Sequence, residues 1–309
     1  MTRGRRKRGD TLILWLAGGL LVLFAVIALG ASLLACERPI VAIGGGGIHL
    51  RPAPASIPAG SLIIQPPVPY SPDSIDLRHR LRPPGRDHWL GTDDLGRDVL
   101  ARMIHGSRVS LTVGFVATAI ALLVGTLLGA LAGYYSGVFD WIVSRLIEVI
   151  LCFPFLVLLL AIVALFEPSL WTIIVALGLT SWTSEARFVR AEFLRNREME
   201  FAAAARASGA GDARIIFRHL LPNSLSPVIV SATFGVGSAI LIESAISFLG
   251  LGVPLPTASW GTILASAHEH VTIAWWLVVF PGAAIFVTVA ACNLLGDALR
   301  DVLDPRGDR

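Results

Sequence analysis

Six apolar runs punctuate this chain: Thr11 to Ala35, Val109 to Gly133, Leu146 to Phe166, Pro168 to Ser184, Leu225 to Phe248 and Trp275 to Leu295. Each approaches the length a helix needs to cross about 30 Å of hydrocarbon. The fourth is the shortest, and Pro227, Gly235, Gly237 and Pro281 predict local irregularities in the last two. Between the fourth and fifth runs lies a polar, alanine-rich segment from Met199 to Asn223. Ala202 to Ala205 and Arg206 have high helix propensity and predict a short exposed helix. Gly209 and Gly211 are expected to stop it, Asp212 to cap a second helical piece, and Pro222 to close that piece before the next run.

The pattern from Glu37 to about Trp89 is different. Gly44 to Gly47 and prolines at 52, 54, 58, 66, 67, 69, 83 and 84 read as an extended loop, with Ser61 to Gln65 as one short strand. The glycine run lacks the lysine and the strand and helix context of a phosphate cradle, and reads as a linker. The domain plan is therefore a basic tail over 1–10, a first transmembrane helix over 11–36, a loop over 37–89, a membrane core over 90–305 with a short polar helix near 198–212, and a tail over 306–309.

Composition narrows the function. The chain is 54% hydrophobic and 15% charged, which a water-soluble domain of this length would struggle to hide. The fold class expected is an all-α polytopic membrane protein. Lys7 is the only lysine, so neither a P-loop nor a Schiff-base site can be built within the fold. Cys36, Cys152 and Cys292 fall in or at the end of apolar runs without metal-ligand spacing, which disfavours a zinc site or a disulfide framework.

Arginine asymmetry orients the spans. Arg3, Arg5, Arg6, Lys7 and Arg8 precede the first run, and Arg187, Arg190, Arg195, Arg197, Arg206, Arg214 and Arg218 lie between the fourth and fifth. The hairpin from Gly250 to Ala274 has no lysine or arginine. Both termini and the segment from Glu185 to Ser224 are accordingly expected in the cytoplasm. The arginines at 78, 80, 82, 86, 97, 102 and 108 fall on the outer side, in a loop long enough to be exempt from the rule. Leu33-Leu34-Ala35-Cys36 has the form of a lipoprotein cleavage box, but the run before it exceeds an ordinary signal segment, and the first span is expected to stay.

His88 to Val99 (HWLGTDDLGRDV), Gly106 to Leu111, Ser247 to Gly252, Pro254 to Gly261 and Asn293 to Asp301 together resemble the permeases of binding-protein-dependent ATP-driven importers. The likeness is to the second permease subunit of their dipeptide, oligopeptide and nickel branch, and it covers about Leu90 to Pro305 plus the first span. In that family the segment before the fifth span carries a Glu-Ala-Ala motif, a glycine four residues on, and a later Leu-Pro. Ala204, Ala205, Gly209, Leu221 and Pro222 match, while Ala203 replaces the glutamate and His219 an isoleucine. The resemblance implies that this segment is a coupling helix docking on separate ATPase subunits, with Glu198, Glu200, Phe201, Ala204, Ala205, Arg206, Gly209 and Asp212 as its residues. Small alanines permit close approach, Phe201 supplies an apolar anchor and Arg206 a bidentate charge.

The resemblance further implies a homologous second permease, two ATP-binding subunits that use ATP and Mg, and an extracytoplasmic solute-binding protein. No cofactor is expected on this chain itself, no catalytic residue, and no nucleic-acid partner. The bilayer would be a bacterial-type inner membrane, and the solute a peptide or similar small molecule.

Two polar features inside or beside the runs remain. Glu243 is an intramembrane carboxyl that either lines a translocation path, meeting a substrate amine, or is held by local hydrogen bonds near a helix end. His268-Glu269-His270 is too small a cluster for a metal site and reads as a polar loop. An ion-coupled secondary transporter is the alternative function, though Glu243 alone is a thin relay and no internal repeat is evident. An intramembrane hydrolase lacks both Gly-x-Ser-x-Gly and His-Glu-x-x-His.

Overall fold

A computed structural model describes residues 3–44, 47–50 and 62–303. The helices are α1 (Arg3–Leu34), α2 (Val99–Tyr135), α3 (Gly137–Leu151), α4 (Phe155–Leu165), α5 (Leu170–Asn196), α6 (Glu200–Ala207), α7 (Asp212–Arg214), α8 (Leu221–Phe248), α9 (Trp260–Ser266) and α10 (Trp276–Leu303). Strands β1 (Val41–Gly44), β2 (Gly47–Leu50) and β3 (Leu62–Ile64) precede α2. The expected basic tail is helical from Arg3 and continuous with α1. The C-terminal tail, the prolines at 52, 54 and 58, and Ser61 lie outside the described residues.

Among the described residues four helices are long and apolar enough to cross a membrane: Leu14–Leu34, Val99–Tyr135, Pro227–Phe248 and Trp276–Val302. By length and composition a fifth crossing is added if the pair α3 and α4, which meet at a bend of 88°, forms one span. The run Leu146 to Phe166 is thus not one straight span. Pro154 breaks it: a proline lacks the amide that would continue the ladder, and its ring drives Phe153 away from helical geometry. The run Pro168 to Ser184 is only the apolar half of α5, which continues to Asn196 because Ala186, Val189 and Phe193 keep a buried face among the charges.

The chain forms two compact units. One comprises Met1–Gly19, Val113–Ile240 and Val289–Arg309, and the other Leu20–Thr112 and Leu241–Thr288. In the first unit α2 and α5 pack backbone to backbone. A Cβ on Gly125 would lie 2.6 Å from the Glu185 Cβ, one on Gly129 2.5 Å from the Ala186 carbonyl oxygen, and one on Gly133 2.6 Å from the Phe193 Cβ. Glycine at every fourth position leaves a groove along one helix face, as small-residue motifs do in membranes. Asp140 of α3 receives a two-pronged ion pair from Arg190 of α5, its second prong 2.7 Å long.

In the second unit, the region expected to be a loose loop is partly organised. Strands order β2-β1-β3, both pairs antiparallel, with Val41 facing Leu50 on one side and Ile64 on the other. Gly44 pairs with Gly47 at the end of the β1–β2 ladder, while residues 45–46 lie outside the described set. The stretch HWLGTDDLGRDV folds into a buried polar knot. Asp93 accepts from the Leu95 and Arg97 amides, both at 2.9 Å, and pairs with Arg97 Nε at 2.7 Å. Asp98 accepts from the Ala101 amide at 2.7 Å, satisfying a first-turn donor of α2, while its other oxygen meets His88 Nδ1 at 2.8 Å. Gly96 sits at φ +75°, where any side chain would also run into the Asp76 carbonyl.

Candidate functional site

The polar segment builds upward from its two turns. Helix α5 ends at Asn196, and Met199 opens α6 without a side-chain cap. Eight residues later α6 closes in a Schellman motif: the Ala210 amide reaches the Ala205 carbonyl at 3.1 Å and the Gly209 amide the Arg206 carbonyl at 2.9 Å. Gly209 takes the left-handed conformation this motif requires, φ +76°, as expected from sequence.

The two pieces that follow depart from expectation. Gly211, not Asp212, caps α7, and the Asp212 carboxylate instead accepts from the Tyr134 hydroxyl at 2.8 Å. Pro222 closes nothing. The backbone runs on through a π-helical stretch, Ile215–Leu220, into α8, with Pro222 in its first turn. Wider π turns and a helix start both tolerate a residue without an amide hydrogen.

One face of α6 is turned to its own protein. Ala202 is fully buried, joining Val189, Phe193, Ile215, Ile216 and Leu220, with Ala205 and Ala210 packed at the margin. The alanine pair therefore splits: Ala205 turns inward, and Ala204 faces out with Ala203, Glu200, Phe201 and Arg206. Gly209 is also exposed, and a Cβ there would meet nothing within 4 Å. Glu198 lies against Arg197, its carboxylate 3.0 Å from Nε.

A set of residues that the sequence reading passed over braces this helix. Arg197 Nη1 donates to the Gly133 and Tyr134 carbonyls, both at 3.2 Å, and to Ser136 Oγ, so a guanidinium completes the C-terminal end of α2. Arg206 Nη2 donates to the Arg197 carbonyl at 3.1 Å. Asn196 Nδ2 donates to Ser224 Oγ at 3.1 Å, linking the end of α5 to α8. Arg197, Tyr134 and Asp212 thus join the ends of α2, α5 and α7, and Arg206 of α6 and Asp212, both named from sequence, meet this brace at its two sides. The available sequence signals were the glycine spacing 125, 129, 133 and an arginine just past the end of a helix.

Glu243 stands apart in the second unit. It is fully buried, and its oxygens accept from Ser247 and Ser259 at 2.8 Å and from Ser110 at 3.4 Å. His268 stacks on Phe248 with centroids 5.6 Å apart.

Residues 125–309 match the family of binding-protein-dependent transport system inner membrane components. The chain belongs to that family. This permease is 46% identical over 228 residues to the dipeptide transport system permease protein DppC of Alkalihalophilus pseudofirmus, covering 74% of this chain and 75% of the relative. It is 43% identical over 244 residues to the di/tripeptide transport system permease protein DppC of Pseudomonas aeruginosa, 77% of this chain and 80% of that one. Its fold is similar to a chain of the MetNI methionine ABC transporter in inward-facing conformations, at a TM-score of 0.52 and 18% identity, covering 66% of this permease and 97% of that chain. The chain is a multi-pass inner-membrane permease component of an ABC importer, not an enzyme, and the ion-coupled alternative is set aside.

Proposed function

We propose that this permease contributes half of the translocation path for peptides or a similar small solute, and that α6 is the element through which separate ATP-binding subunits drive it. The observation that carries the reading is the division of α6: Ala202 and Ala205 seat it on its own core, the Arg197 brace ties it to the end of α2, and Glu200, Phe201, Ala204 and Arg206 are left facing out. A helix held so firmly on one side is suited to transmit a push received on the other.

The peptide assignment follows the names of the relatives. The complex comprises a homologous second permease, two ATP-binding subunits that use ATP and Mg, and an extracytoplasmic solute-binding protein. Arginine asymmetry supports a cytoplasmic α6 and cytoplasmic termini. We propose six crossings, adding to the four apolar helices the bent pair α3 with α4 as one and α5 as another.

The test is the complete complex in proteoliposomes, comparing wild type with Arg206→Glu and Phe201→Asp. Reversing charge or removing the apolar anchor is expected to abolish uptake while the permease still inserts and the ATPase subunits still hydrolyse ATP. Unchanged uptake in both variants would overturn the docking role.

A further inference from the structure

Helix α9 begins where the chain turns back toward the core. Its first residue, Trp260, is 1% exposed, with Nε1 donating to the Met103 carbonyl at 3.2 Å and its ring edge-on to Phe24. The fit leaves no slack. A Cβ on Gly261 would lie 2.7 Å from the Ser244 Cα, and one on Gly106 3.2 Å from the Ser259 carbonyl carbon.

The first amides of any helix need outside acceptors, and here two serines supply them. Ser259 Oγ accepts from the Thr262 amide at 3.1 Å, and Ser110 Oγ accepts from the Trp260 amide at 3.2 Å. Each hydroxyl has a single proton to give. Both give it to Glu243: Ser259 at 2.8 Å and Ser110 at 3.4 Å, with Ser247 adding a third donor at 2.8 Å. In each of these bonds an oxygen of Glu243 stands as the acceptor, which leaves the hydroxyl lone pairs for the amides. The hydroxyls must point their protons at Glu243 and their lone pairs at the amides of α9.

We propose that Glu243 is a positioning residue: through Ser110 and Ser259 it clamps α9, and with it the hairpin Gly250 to Ala274, onto α2 and α8, and it makes no contact with the solute. The proposal rests on the permease reading for its effect on transport, but the clamp itself is a statement about this chain. A buried carboxyl facing hydrocarbon would be costly; one surrounded by serine hydroxyl donors is satisfied without a solute. Glu243→Gln keeps one accepting oxygen, whereas Glu243→Ala leaves the hydroxyls free to turn away from the amides.

The experiment uses the whole complex in proteoliposomes, with Cys36, Cys152 and Cys292 replaced by serine and a single cysteine placed at Ala258, which is 4% exposed. Maleimide labelling of that cysteine should speed up about tenfold or more in Glu243→Ala and in Ser259→Ala, the shift expected from losing a buried hydrogen bond. Glu243→Gln should stay within about twofold of wild type, since one strong acceptor is retained. Uptake should fall in the two fast-labelling variants, with the ratio of cationic to neutral peptide transport the same in every variant. Unchanged labelling in Ser259→Ala, which keeps the carboxyl and removes one link, would overturn the clamp. So would a changed substrate ratio in Glu243→Gln with labelling unaltered, which would make Glu243 a solute contact. Labelling requires no transport, so the clamp is read even where the wild-type complex fails to import peptides, a result that would instead count against the peptide assignment.

Discussion

Replacing Gly209 separates two reasons for which a glycine is needed at the end of α6. At φ +76° a residue with a Cβ carries a backbone penalty of about 1 to 2 kcal/mol, while the space around the position is open in this chain, with no atom within 4 Å. Gly209→Ala is therefore expected to fold, with the cap equilibrium shifted about 5- to 30-fold. An eight-residue helix has too few turns to hold itself together, so the Schellman bonds from Gly209 and Ala210 matter for its last turn. Asparagine tolerates the left-handed region far better than alanine, and valine worse. Uptake per ATP hydrolysed, measured in proteoliposomes with all partner subunits, should fall severalfold for Gly209→Ala, further for Gly209→Val, and stay near wild type for Gly209→Asn. An asparagine variant as impaired as the valine one would refute the backbone argument and show that the partner needs the bare Cα. A fully active alanine variant would show that the cap does not govern coupling.

Gly129→Leu should lower thermal stability of the purified protein by about 1 to 3 kcal/mol, because its Cβ would lie 2.5 Å from the Ala186 carbonyl oxygen; Gly282→Ala, with nothing within 4 Å, is the neutral control. Arg197→Ala removes donors from the Gly133 and Tyr134 carbonyls and is expected to raise amide exchange in α6 while leaving the middle of α5 protected, as read by hydrogen exchange. Ala203→Glu restores the motif carboxylate on an exposed face, so stability should move by no more than about 0.5 kcal/mol, and affinity for the ATPase subunits, measured by titration, should rise.

Hydropathy located α1, α2, α8 and α10 because apolar length is a local property of the chain. It misjudged α3 and α4 because a proline inside an apolar run changes direction without changing hydropathy, and Pro154 does so through its own missing amide and its effect on Phe153. It said nothing of where α5 ends, because the buried face from Ala186 to Phe193 is interleaved with charge. Gly209 was legible, since a glycine after an alanine-rich stretch has a simple backbone meaning; Asp212 was off by one position because Gly211 opens the turn as well as an aspartate would. The brace was legible only as a glycine spacing and an arginine past a helix end, not as a contact. Arg197 meets Gly133 and Tyr134 across more than sixty positions of sequence, and nothing near Arg197 distinguishes it from the other arginines of that stretch. The same holds for Glu243, whose partners Ser110 and Ser259 flank it from two other elements.

The glycine seam along α2 limits where motion can occur. Two helices whose backbones touch at Gly125, Gly129 and Gly133 have surrendered the freedom to slide, because the ridge of one sits in the notch of the other at three successive turns. They can only travel as a single stiff member. Any flexing that accompanies a change of access in this unit is then left to places without such contact, of which the break at Pro154 is the clearest, while the braced turn at Arg197 would pass a partner's push straight into this member.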